Sequence, residues 1–155
     1  MKHLKQYKMF ESQQDVETVL QNIRDIFQEF TDQGLEITAM KNKEISKMMR
    51  FSGWLLGAGE FPEIFTGIKS RRPQPYSYFA DSIHHLVSYM KDCGYEICGF
   101  SIFHLYHGSY VTSGIWKDKK PYNFHIKPDP LTYCEEQFSN IPVKDVEISF
   151  SKIKD

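Results

Sequence analysis

The chain has 155 residues, of which 41% are hydrophobic and 15% aromatic, and its formal net charge is -1. That length suits one domain, 1–155, with a sizeable core, and the composition is too apolar for a disordered chain. The balanced charge excludes a whole-chain positive field that would draw in nucleic acid or an anionic membrane. The longest apolar run, Trp54 to Ala58, is far short of the roughly 18 residues a membrane span needs, so no membrane association is expected. Cys93, Cys98 and Cys134 are odd in number, lack Cys-x-x-Cys spacing and follow no secretory leader. They predict reduced thiols in the cytoplasm.

Residues 1–12 alternate weakly, as an edge strand or lead-in would. Met1, Lys2, Leu4, Tyr7, Phe10 and Glu11 resemble the opening of many small uncharacterised tailed-bacteriophage proteins, which often continue into an acidic amphipathic helix. The resemblance implies a phage setting, with the host cytoplasm as location, and implies no activity.

Ser12 and Asp15 are spaced as a capping box. Val16, Val19, Leu20, Ile23, Ile26, Phe27 and Phe30 then share one helical face, which predicts a helix over about 13–33. Gly34 is placed to end it in the left-handed conformation, and residues 35–40 alternate as a strand with Leu35, Ile37 and Ala39 on one side. Residues 44–51 are expected to return as a second strand, although Ile45, Met48 and Met49 would also suit a short helix. Gly53, Gly57, Gly59, Pro62, Gly67, Pro73 and Pro75 mark 52–76 as a loop or insertion.

Ser77 is expected to cap a second helix with Phe79, Ile83, Leu86, Val87 and Met90 on its apolar face, ending at Gly94. Residues 95–106 read as a long strand, Gly108 as a turn, and 110–116 as the returning strand. A further strand is expected over 122–126, a short helix over 131–138, and a closing strand through Val146, Ile148 and Phe150.

The segment Ile23–Ile37 is echoed sixty residues later by Ile83–Ile97, with five identities in fifteen positions. In both copies an apolar helical stripe runs into Asp-x-Gly and then into a strand. A shared supersecondary solution accounts for this more readily than duplication, because glycine alone enters the left-handed region without steric cost. Two helices with matching faces and exits belong side by side on one face of a mainly antiparallel sheet. The expected class is therefore α+β, as in a split β-α-β (ferredoxin-like) core with insertions.

That scaffold weighs against several tempting residues. His84 and His85 fall where the first copy has Arg24 and Asp25, on a solvated helix face. His104, His107 and His125 form the alternative metal set of the kind zinc uses, against the plainer reading of solvent-facing hairpin histidines. The aromatic strand from Cys98 to Tyr106 differs from the RNA-recognition signature in ring spacing, basic residues and chain order, and its rings are expected to belong to the core. No Ser-His-Asp order, paired-carboxylate motif, His-Glu-x-x-His or phosphate loop is present.

Contact-type residues remain: Trp54, Arg71, Arg72, Tyr106, Trp116, Lys119, Lys120 and Tyr122. Cations beside flat rings suit a protein interface and equally suit phosphate contact with stacking. The expected function is non-enzymatic binding to a protein partner, with no cofactor. A host or virion protein ranks first as partner and self-association second. The alternatives are a metal-dependent enzyme using the histidines and a nucleotide or oligonucleotide binder using the basic, aromatic loops.

Overall fold

The structure, a computed structural model, describes residues 15–45, 47, 62–116 and 130–153. The chain begins with α1 (Val16–Ile26), whose N-cap is Asp15, its side chain accepting from the Glu17 amide. A break at Phe27 separates α1 from a short α2 (Gln28–Asp32). The continuous helix expected here is thus two pieces, and the cap is Asp15 itself. Gly34 has φ +88°, and the Leu35 amide reaches back to the Phe30 carbonyl at 3.0 Å, closing the C-terminus in a Schellman-type motif.

β1 (Glu36–Lys41) follows, and residues 42–45 are helical, which corrects the expected strand beginning at 44. The largest correction is β2 (Ile64–Pro75), a twelve-residue strand within the segment expected to be loop. Ile64, Thr66, Ile68 and Ser70 alternate onto one face of it and are all buried. Gly67 and the prolines hide this pattern. A Cβ at Gly67 would meet the Phe65 ring at 3.5 Å, an ordinary van der Waals contact, so the strand does not require glycine there. Pro73 lies in the irregularity between Lys69 and Gln74, and Pro75 ends the strand, positions at which proline removes no ladder hydrogen bond.

Next come α3 (Tyr76–Asp92), β3 (Tyr95–Tyr106), β4 (Ser109–Trp116), α4 (Pro130–Phe138) and β5 (Pro142–Lys152). α3 starts one residue before Ser77, and no side chain caps it. It ends at Gly94, φ +90°. His107 and Gly108 both have positive φ, the requirement of a two-residue type I′ hairpin matched to strand twist. The expected strand over 122–126 lies outside the described residues.

All pairings are antiparallel, in the order β1-β2-β5-β3-β4. Because β5 lies between β2 and β3, the unit β2-α3-β3 is a split β-α-β, and β4-α4-β5 straddles β3 in the same way. The closing strand is central, whereas a ferredoxin-like sheet carries it at an edge. One cluster joins Val19, Leu20, Ile23, Phe27 and Phe30 to Phe79, Ile83, Leu86 and Met90 and to Val146, Ile148 and Phe150 of β5. The helices lie side by side, with the Phe30 ring 5.4 Å from Tyr78 and 5.7 Å from Phe79, and Asn22 donating to the Tyr89 hydroxyl at 2.8 Å.

The echoed faces correspond except at one step. Phe27 is buried where Val87 is half-buried, and Leu86 is buried where Ile26 is half-buried, coincident with the break at Phe27. Phe27→Ala, at a site 1% exposed, should therefore cost about 3–5 kcal/mol in denaturant melts. Gly34→Val should also destabilise, since a β-branched residue resists positive φ. A near-neutral result for either variant would contradict the packing described.

Candidate functional site

Two regions outside the core carry unspent chemistry. The first is the end of the sheet where β2 and β3 finish and β5 begins, with Gln74 and His104 both opposite Val143. Arg71 and Arg72 are exposed within the irregular stretch of β2, which Ser70 holds by donating to the Arg72 carbonyl. Two strands away, about 10 Å, Tyr106 is 57% exposed at the tip of β3 and its ring meets His107 edge-on. Between them the Lys144 ammonium sits 4.2 Å from the centroid of Tyr110, in cation–π contact. Lys144 and Tyr110, which the sequence did not single out, are near this end on the sheet face that carries Phe103, whereas alternation along β3 puts Tyr106 on the face of His104.

Other expected members are not brought here. Trp116 is opposite Gly99, at the far end of β4, roughly 23 Å along the strand. Trp54, Lys119, Lys120 and Tyr122 lie outside the described residues. So does His125.

His104 and His107 do not converge. His104 is 4% exposed and its ring packs tilted against Phe138, centroids 4.7 Å apart, on the helix-covered face, whereas His107 is exposed in the turn. Among the described residues no group of three or more His, Cys, Asp or Glu is arranged to hold a metal. His84 pairs with Glu135, joining α3 to α4, and His85 is exposed. The cysteines are buried thiols.

The second region is the sheet face away from the helices. Strand alternation puts Val146, Ile148 and Phe150 in the core and turns Asp145, Glu147, Ser149 and Ser151 the other way. Asp145 is opposite Lys69 and Phe103, and Glu147 is opposite Gly67 and Ser101. Burial raises the Asp145 carboxyl above its ordinary range, with Lys69 and Lys144 opposing the rise and Glu36 adding to it. Its Oδ1 is buried and accepts no hydrogen bond from the described residues. Burial also raises Glu147, reinforced by Asp145 and opposed by the Ser101 hydroxyl, which donates to it. The two acids stand on one face of one strand, about 7 Å apart along it.

An open cleft of about 540 Å³ at the other end of the sheet is lined by Val16, Lys41, Glu63, Tyr95 and Lys152 among others. Two of its lysines are paired: Lys41 Nζ lies 2.5 Å from Glu17 Oε1, and Lys152 Nζ lies 3.9 Å from Glu63 Oε2. Exposed pairs of this kind bind and stabilise little. No described helix is long and apolar enough to cross a membrane. Neither a scan against protein-family models nor searches of curated proteins and of solved structures return a match.

The acid pair has a measurable consequence. Native Asp145 and Glu147 hold protons to higher pH than they do in the unfolded chain. The native state therefore binds more protons, and their contribution to stability falls as pH rises from the ordinary carboxylate range through the raised values. Asp145→Asn and Glu147→Gln should each flatten that fall and raise stability at neutral pH in melts from about pH 3.5 to 8. Profiles parallel to the parent chain would contradict the assignment.

Proposed function

We propose that this chain is a non-catalytic binding protein acting by protein–protein contact in the cytoplasm. In the phage setting implied by residues 1–12 it would be an accessory protein whose first partner is a host or virion protein. The observation that carries this reading is the basic, aromatic end of the sheet, where Arg71, Arg72 and Tyr106 are exposed and Lys144 and Tyr110 are half-buried. Arginine and tyrosine are enriched among residues that dominate interface energies, because each brings a large planar surface together with hydrogen-bonding groups. Tyr106 and Tyr110 stand on the paired β3–β4 hairpin, whose hydrogen-bonded backbone limits the entropy lost on docking, while Arg71 and Arg72 lie in the irregular stretch of β2.

The acids beside this end also favour a protein over a nucleic acid. Glu36 and Asp145 lie next to Lys69 and Lys144, so the surface alternates in sign, whereas a phosphate backbone calls for a continuous positive track.

Affinity capture with the full chain tests the reading. A protein retained by the parent chain should bind at least ~10-fold more weakly to Arg71→Ala/Arg72→Ala and to Tyr106→Ala, with circular dichroism unchanged. Equal retention by the folded variants would refute it. Salt-dependent binding of a labelled oligonucleotide, with a slope reduced by removing Lys119 or Lys120, would favour the nucleic-acid alternative instead.

A further inference from the structure

We draw no further inference here: the strongest candidate, the pair of half-buried acids Asp145 and Glu147 on the sheet face away from the helices, is an acidic cluster alone, since the buried oxygen that lacks a hydrogen bond from the described residues, Asp145 Oδ1, belongs to the pair itself and nothing independent of it points to a ligand.

Discussion

The structure depends on the insertion of β5 between β2 and β3. Those strands run parallel to each other and make no mutual hydrogen bonds, so until the last strand arrives each has an open edge facing the other. β5 closes both edges, pairing along Ile64 to Lys69 on one side and Tyr95 to Phe103 on the other. It also delivers Val146, Ile148 and Phe150 beneath the helices. Folding therefore requires the C-terminal strand to meet β2, a contact separated by some eighty residues, as the Thr66 hydroxyl donating to the Ile148 carbonyl across 82 positions illustrates. Closing long loops before gaining their contacts is entropically demanding.

The same strand organises the chemistry on the other face. Asp145 and Glu147 are carried to the centre of the sheet by the alternation that buries their neighbours. Their raised affinity for protons is a by-product of that placement, partly balanced by Lys69, Lys144 and Ser101. At its beginning β5 gathers the arginines of β2 and the tyrosines of the β3–β4 hairpin at one end. The outermost described strands, β1 and β4, which it does not reach, differ in charge and length.

Helix faces, glycine caps, the β3–β4 hairpin and the closing strand were legible because each is a local signal, spaced at period 3.6 or 2 or fixed by a left-handed glycine. β2 was not legible, since Gly67, Pro73 and Pro75 read as ordinary breakers, and the prolines are accommodated only by the irregularity at Lys69–Gln74 and by the end of the strand. Half of the candidate contact set behaved likewise. Arg71, Arg72 and Tyr106 share one end of the sheet, while Trp116 stands at the other, because sequence spacing carries no strand order.

By itself the sequence determined that this is an α+β chain, which faces of its helices are buried and where its helices end, because those properties depend on near neighbours. Only the tertiary structure decided that the last strand is central and that Asp145 and Glu147 share a half-buried face. It also decided that His104 packs against Phe138 and that β4 is the outermost described strand on its side of the sheet. Each of these is a property of strands distant in sequence, fixed by which edge closes against which.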